Sequence, residues 1–274
     1  MNPTKSKLLD NLESNGYIII DNVLDETEIM KATELFNKWI LTNKIIVGNN
    51  GIIKDNNAGH QEHAWFIRTR PQILKIFEEL WGTNELIASF DGCCYMKEDN
   101  YYDSYWTHVD QSPLNTEFRC FQALISLTDN IDKTLMVYDK SHLLFKDYVK
   151  EYDLKEDKNF NIINRDYITK NCLLQKKILS VKKGSLIIWD SRLFHQNQCG
   201  EINNKEKRIV QYISYMPKHH KDNSIENKKK RKEAFDNKIT STHWSAPLKF
   251  ASNIKTKDSL FDIKQYEKEI YNLL

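Results

Sequence analysis

The sequence predicts a mainly β fold with flanking helices, built as a sandwich or a barrel. Three observations carry this. Between residues 86 and 217, short runs of Ile, Leu, Val, Phe and Tyr recur with turns between them, the signature of many short strands in succession. On either side, apolar residues return at helical spacing behind recognisable caps. The 274 residues, 40% hydrophobic and 11% aromatic, suffice for one large domain with a sizeable core. The expected organisation is a single domain over 1–274. N-terminal helices and a first strand occupy 1–85, the strand-rich core 86–217, and a helical, basic extension 218–274.

Residues 5–14 read as a short helix stopped by Asn15-Gly16, and Tyr17-Ile18-Ile19-Ile20 as a buried strand. Asp25 followed by Glu28 is a capping-box pattern. The helix it opens carries Ile29, Leu35, Phe36, Trp39 and Ile40, consistent with an amphipathic face. Residues 44–63 are polar and rich in Gly and Asn, hence an expected loop. Pro71 opens a helix over 72–80 that closes near Gly82. Strands are expected over 87–96, 104–109, 119–127, 134–138, 177–181, 185–189, 193–198 and 208–216. The charged segment 143–172 is expected to be irregular or partly helical. After Pro217, the run HHKDNSIENKKKRKEAF reads as a solvated helix, and the tail as a loop and a helix packing back on the domain.

There are 40 Lys+Arg against 38 Asp+Glu, a net charge of +2. This balance gives no global pull toward nucleic acid or an anionic membrane. Cys93, Cys94, Cys120, Cys172 and Cys199 are odd in number and lack zinc-ligand spacing, which fits packing residues in a reduced compartment. The N-terminus has no apolar signal core and no apolar run reaches membrane-span length, so a cytoplasmic protein is expected. Oligomeric state is unwritten in the sequence.

The chemistry-bearing residues begin at Trp106-Thr107-His108-Val109-Asp110-Gln111. On a strand His108 and Asp110 share a face, because side chains alternate with period two. By itself an H-x-D is close to chance. It is joined by Gly184-Ser185-Leu186-Ile187-Ile188-Trp189-Asp190-Ser191-Arg192-Leu193-Phe194-His195, a turn, a buried strand and a corner that bring His195 inward. Two histidines and one carboxylate on one face of an octahedron are the facial triad of non-haem Fe(II) oxygenases, whose open positions accept a 2-oxo acid and dioxygen. On the alternating strand after it, Arg208 can take a carboxylate bidentately; Lys205 or Lys207 can serve instead. Asn197 and Gln122 are further polar candidates for a cosubstrate wall. His60 and His63 form no H-E-x-x-H helix, so no second metal site is expected. His219-His220 reads as surface, and His243-Trp244 as a segment able to fold back over the site.

Together, the H-x-D at 108–110, the strand before His195 and the Arg after it resemble the phytanoyl-CoA dioxygenase-like family. Gly16 to Leu24 is similar to that family's N-terminal strand and helix start, and Leu135 to His142 to its "PGSH" segment. Trp81-Gly82-Thr83 and Ser89-Phe90-Asp91-Gly92 are similar to a little-characterised branch. The resemblance covers roughly residues 15 to 217. It implies a double-stranded β-helix (jelly-roll, cupin-like) core. It also implies Fe(II) on His108, Asp110 and His195, and 2-oxoglutarate anchored by Arg208. The implied reaction uses O2, decarboxylates 2-oxoglutarate to succinate and CO2, and hydroxylates a small-molecule or lipid-like substrate.

This chain departs from the family where "PGSH" reads Asp139-Lys140-Ser141-His142, where the usual "NG" reads Asp132-Lys133, and where GEINNKEK lengthens the gap from His195 to Arg208. Trp106, Gln111, Arg68, Arg119 and Arg192 are expected substrate contacts around the mouth. Two other readings compete: a catalytically silent jelly-roll that binds a ligand or partner, and an oxygenase that modifies protein or nucleic acid through the Lys228–Lys232 run.

Overall fold

The computed structural model describes residues 7–99, 101, 105–252 and 263–274. Residues 5, 6 and 104 of the expected elements lie outside these. Helix α1 (Lys7–Asn15) ends at Gly16, whose φ is +85°, a conformation glycine adopts without steric cost. Strand β1 (Tyr17–Ile20) leads to α2 (Glu26–Thr42), whose capping box is complete: Asp25 Oδ1 accepts from the Glu28 amide and Glu28 Oε2 from the Asp25 amide. The stretch expected as a loop over 44–63 differs. It holds a two-residue strand, β2 (Ile52–Ile53), and the start of α3 (Glu62–Arg68). Helix α3 has no side-chain cap, and His63 through Arg68 are all buried, so it shows none of the apolar periodicity from which a helix is read. Helix α4 (Pro71–Trp81) starts on its proline and stops at Gly82, φ +66°.

The remaining strands are β3 (Leu86–Ala88), β4 (Cys93–Met96), β5 (His108–Val109), β6 (Phe121–Ser126), β7 (Leu135–Tyr138), β8 (Asn161–Ile162), β9 (Lys176–Ile178), β10 (Leu186–Asp190), β11 (His195–Asn197), β12 (Arg208–Ile213) and β13 (Tyr215–Pro217). One antiparallel sheet has the order β1-β10-β6-β12-β4-β2, a second β8-β5-β11-β7-β9, and β13 pairs with β3. From β10 to β11 to β12 the chain crosses from the first sheet to the second and back, and β6 to β7 crosses likewise. This alternation makes a double-stranded β-helix with helices outside. The expected strand 87–96 is two strands. At the break, Gly92 passes so close to the Ile53 carbonyl that a Cβ would stand 2.2 Å from its oxygen. The expected strand 208–216 breaks at Ser214, whose hydroxyl donates to the Phe121 carbonyl at 2.7 Å.

Period-two alternation divides each strand between two apolar layers. In β10, Leu186 and Ile188 pack toward the helices with Ala32, Leu35 and Phe36. Ile187 and Trp189 point between the sheets, with Leu135, Val137 and Val210. The segment 143–172 is more ordered than its charge suggests. Helices α5 (Phe145–Glu151) and α6 (Arg165–Asn171) cover the second sheet, burying Phe145, Tyr148, Tyr167 and Ile168 against Val109, Met136 and Phe194. Among the described residues, no helix is long and apolar enough to cross a membrane.

The basic run forms α7 (Ile225–Asp236), and the chain closes with α8 (Glu267–Asn272). Lys228, Lys229 and Lys232 are exposed, as a solvated helix requires. Arg231 is not: it is 1% exposed, and burial pushes its guanidinium down to about 9. It donates to the carbonyls of Ala88 (2.9 Å), Leu273 (3.0 Å), Ser245 (3.2 Å) and Leu274 (3.2 Å), tying the C-terminal extension to the core. Arg231→Met should remove a donor from all four; Ser245 keeps Asn227 and Leu273 keeps the Ala88 amide, and a buried carbonyl left without any donor costs about 1–3 kcal/mol. We expect urea unfolding to show a loss of at least about 3 kcal/mol, against less than about 0.5 kcal/mol for the exposed Lys229→Met. Equal small losses would mean that solvent reaches the site.

Candidate active site

Strand register brings the two histidines together: His108 on β5 stands directly opposite His195 on β11. Asp110 follows β5 immediately. The three offer ligand atoms that all lie within 4.8 Å of one another. His108 Nε2 is 3.6 Å and His195 Nε2 3.4 Å from Asp110 Oδ2. Groups bonded at about 2.1 Å on adjacent corners of an octahedron stand about 3 Å apart, so a small inward shift closes the set on one ion. The outer nitrogens are engaged: His108 Nδ1 lies 2.9 Å from the Trp106 carbonyl and His195 Nδ1 2.8 Å from that of Leu193. A carbonyl oxygen only accepts, so each Nδ1 carries the proton and each Nε2 lone pair faces the shared centre. Burial works to raise the Asp110 carboxyl, but the flanking His108 and His195 hold it well below the usual carboxylate range. The donor set therefore fits a divalent metal.

Supporting contacts fix this geometry. Gln122 Nε2 on β6 donates to Asp110 Oδ2 at 2.8 Å. Gln122 therefore reaches the metal carboxylate from the wall on which it was expected to meet a cosubstrate. Gln122→Leu should lower divalent-metal affinity about 10- to 100-fold, read by anaerobic Fe(II) titration; unchanged affinity would show that Asp110 is held without it. Trp106 stacks on His108 with ring centroids 4.9 Å apart and planes at 19°, and its Nε1 donates to the Asn197 carbonyl at 3.2 Å. Phe160 covers the other side of His108 at 4.7 Å. Ser141 Oγ accepts from the Phe194 amide at 2.8 Å, pinning the residue before His195. The departure at "PGSH" is thereby resolved: Lys140 takes the left-handed turn, φ +64°, that the glycine would otherwise supply.

The ligands open onto a cavity of about 710 Å³. One wall presents Leu135, Asn197 and Tyr212, with Asn197 Nδ2 donating to the Tyr212 hydroxyl at 3.1 Å. Beside it Arg208 is 1% exposed. Its Nη1 meets Cys94 Sγ at 3.6 Å, and among the described residues no carboxylate pairs with its guanidinium. Lys205 is exposed and Lys207 lies over the Tyr95 ring at 5.5 Å; neither lines the cavity, and Arg208 stands behind its lining, next to Cys94 and Tyr212. The longer gap before Arg208 is laced down. Glu206 accepts from the amides of Ile131, Asp132 and Lys133, and Asp132 accepts from Glu201 N and Asn204 Nδ2. Lys133 is buried and donates to the carbonyls of Lys97 and Glu98. Asp132-Lys133 thus replaces the usual turn with an anchored one.

Of the expected substrate contacts, only Trp106 lines the cavity. Gln111 donates to the carbonyls of Asn115 and Glu117 and accepts from Ser191 Oγ. Arg68 is fully buried, donating to the carbonyls of Gly59 (2.5 Å) and Asp91 (2.6 Å). Arg119 pairs with Asp222, and Arg192 grips Asp190 through Nε (2.9 Å) and Nη2 (2.6 Å). Each found nearer acceptors inside the fold, which spacing along the chain does not reveal. Conversely, the cavity includes Asp91, Thr242, His243, Trp244 and Phe250; of these the sequence pointed to His243-Trp244 as a covering segment and to Asp91 only within a family-like run, not as a cavity residue. Burial is the main cause that holds the His243 imidazole down, at about 4. It also pushes the Asp91 carboxyl up to about 7, with the charge of Asp110 adding to the rise.

The family model described as phytanoyl-CoA dioxygenase (PhyH) matches residues 12–201. The chain belongs to the phytanoyl-CoA dioxygenase family. Family members are Fe(II)- and 2-oxoglutarate-dependent oxygenases, and the His108, Asp110, His195 set suits the iron they use. The chain is 27% identical over 202 residues to Ava biosynthesis cluster protein O of Aspergillus versicolor, covering 68% of this chain and 64% of that protein. It thus spans less than two thirds of that relative. In fold it is similar to the non-haem α-ketoglutarate-dependent carbocyclase SnoK from nogalamycin biosynthesis (18% identity, 78% and 85% of the two chains, TM-score 0.57). It is also similar to HygX from Streptomyces hygroscopicus with nickel and 2-oxoglutarate bound (12%, 77% and 87%, TM-score 0.56). Arg208 and the whole C-terminal extension lie beyond the region matched by the phytanoyl-CoA dioxygenase model.

Proposed function

We propose that this protein is an Fe(II)- and 2-oxoglutarate-dependent dioxygenase that hydroxylates a small-molecule or lipid-like substrate. The observation that carries this reading is the pairing of a three-ligand site with a buried guanidinium, close behind the cavity lining, that no carboxylate among the described residues compensates. Burying an unpaired charge is costly, and a dianionic cosubstrate would remove that cost. Bound iron would supply dioxygen activation, driven by decarboxylation of 2-oxoglutarate to succinate and CO2. His108, Asp110 and His195 would hold the ion, and the cavity beside them would receive the cosubstrate. Arg208 takes the distal carboxylate of 2-oxoglutarate, with Asn197 and Tyr212 as hydrogen-bonding neighbours. Trp106 and Phe160 keep water from His108 and hold its ring in plane.

A small molecule suits a cavity of about 710 Å³. Similarly folded proteins include one with nogalamycin RO bound (TM-score 0.53) and one with hygromycin B bound (TM-score 0.52). The test is direct: the purified protein is given Fe(II), ascorbate and 2-oxoglutarate in air, and succinate is measured. Iron-dependent succinate release, abolished by chelator, is expected even without a substrate. No release above the metal-free background would remove the reading in favour of a silent binding protein.

A further inference from the structure

We propose that Asp91, with Thr242 and His243 of the C-terminal extension, forms the substrate-recognition wall. The substrate it selects is a ring-bearing small molecule that presents a hydrogen-bond donor, a hydroxyl or an ammonium, to the Asp91 carboxylate. This deepens the dioxygenase reading and rests on it.

The wall is built by a stitch between distant parts of the chain. Asp91 pairs with Ser241 in an isolated parallel bridge. The Ser241 amide donates to the Phe90 carbonyl at 2.8 Å, and the Phe90 amide donates to Ser241 Oγ at 2.9 Å. The next three residues, Thr242, His243 and Trp244, all line the cavity. Nothing about this segment is loose. Asn227 donates to the Ser245 carbonyl at 3.1 Å and accepts from the Leu248 amide at 2.6 Å, and Arg231 holds the same Ser245 carbonyl. Residues 241–245 are a fixed wall, held by Asn227 and by the buried arginine of the basic helix.

On that wall the hydrogen-bonding balance is one-sided. The Asp91 main-chain carbonyl is taken by Arg68 and Gln211, and its Oδ1 accepts from the Gly92 amide at 2.8 Å. Its other carboxylate oxygen has no protein donor among the described residues. Arg68 directs Nη1 and Nη2 to the carbonyls of Gly59 and Asp91 rather than to this carboxylate. His243 adds a second unmet group: its ring is hydrogen-bonded to the main chain of Asp110, while its Nε2 is buried without a partner. With one nitrogen donating to that carbonyl, a neutral ring offers Nε2 as an acceptor. The wall thus displays acceptors and asks for donors. Around it stand Trp106, Phe160, Trp244, Phe250, Ile52 and Ile53, flat and apolar surfaces that grip a ring and favour a cation over an anion. The cations of the lining, Lys54 and Lys249, both reach solvent. Above about pH 7, where Asp91 is ionised, a carboxylate-bearing substrate would meet it as a like charge.

The test uses the full chain, held anaerobically with Fe(II) and 2-oxoglutarate, and three probes that share one ring: naphthylethylamine, naphthylethanol and naphthylacetate. Binding is followed by tryptophan fluorescence and by the shift of the visible charge-transfer band. The amine and the alcohol should bind about 10- to 100-fold more tightly than the acetate, the scale set by one charge-assisted hydrogen bond. Asp91→Asn keeps the oxygen that accepts from Gly92. It should cost the amine about tenfold or more; loss of the alcohol as well would identify the hydroxyl as the preferred donor. Acetate binding as tightly as the other two, or unaltered probe binding in Asp91→Asn, overturns the proposal. Selectivity in the wild type decides the matter even if the variant folds poorly. The charge-transfer band before any probe is added tests the dioxygenase reading separately. If that band is missing, fluorescence titration of the metal-free protein still decides the role of Asp91.

Discussion

Arg208→Met is expected to abolish usable 2-oxoglutarate binding while making the ligand-free protein more resistant to heat. The two effects share one cause. Arg208 is 1% exposed, and among the described residues the one hydrogen bond of its guanidinium goes to a sulfur, Cys94 Sγ at 3.6 Å. Removing one partner of a buried charge pair costs about 2–5 kcal/mol, and each decade of affinity is about 1.4 kcal/mol. The dissociation constant for 2-oxoglutarate should therefore rise about thirtyfold to a thousandfold or more. Without the ligand the charge is a burden, since burying an unpaired ion is disfavoured and an apolar replacement of similar volume is tolerated. The variant should melt above the wild type when both are ligand-free, and below it when both are saturated with 2-oxoglutarate. Isothermal titration and thermal melting give the two readings, with Fe(II) affinity as the control. Should the 2-oxoglutarate requirement stay where it was, the anchor moves to Lys205 or Lys207, and Lys207→Met becomes the next variant.

His108→Ala and Asp110→Ala should each reduce iron-dependent succinate formation below about one thousandth of wild type, because loss of a ligand removes ion and chemistry together. The two variants should differ in what remains. His108→Ala leaves Asp110 bonded to Gln122 and facing His195, so residual metal binding is expected at high Fe(II). Asp110→Ala removes the sole carboxylate of the set and strands the Gln122 amide, and weaker binding still is expected. Metal titration under nitrogen, followed by single-turnover assay, separates the two. A site that takes up zinc alone, with turnover indifferent to oxygen, would point to structural or hydrolytic use.

Much of the frame was legible in the sequence because its signals are local. Asp25 and Glu28 announced a capping box three residues apart, Gly16 and Gly82 marked left-handed stops, and Pro71 marked a start. His-x-Asp put two ligands on one face because strand side chains alternate, the turn and buried strand from Gly184 pointed to His195, and the family resemblance added the jelly-roll. Helix α3 escaped notice because it is buried all round, and the solvated reading of α7 missed Arg231, a buried clamp within a run of lysines. Gln122 is in the cavity but bonds Asp110, and Arg68, Arg119 and Arg192 turn to internal acceptors. Composition is blind to such choices.

The sequence by itself determined which residues can bind a metal, where the chain must turn, and which strands have two apolar faces. These depend on backbone sterics and on neighbours a few positions away. Tertiary structure alone decided that His108 faces His195 in register, that Arg208 meets no counter-ion among the described residues, and that residues 241–244 come alongside Asp91 to close the cavity. Those outcomes depend on pairing and burial between segments far apart in the chain, 87 residues for His108 and His195 and 150 for Asp91 and Ser241. There, each polar group takes the nearest partner the packed interior offers, and no local pattern specifies which partner that will be.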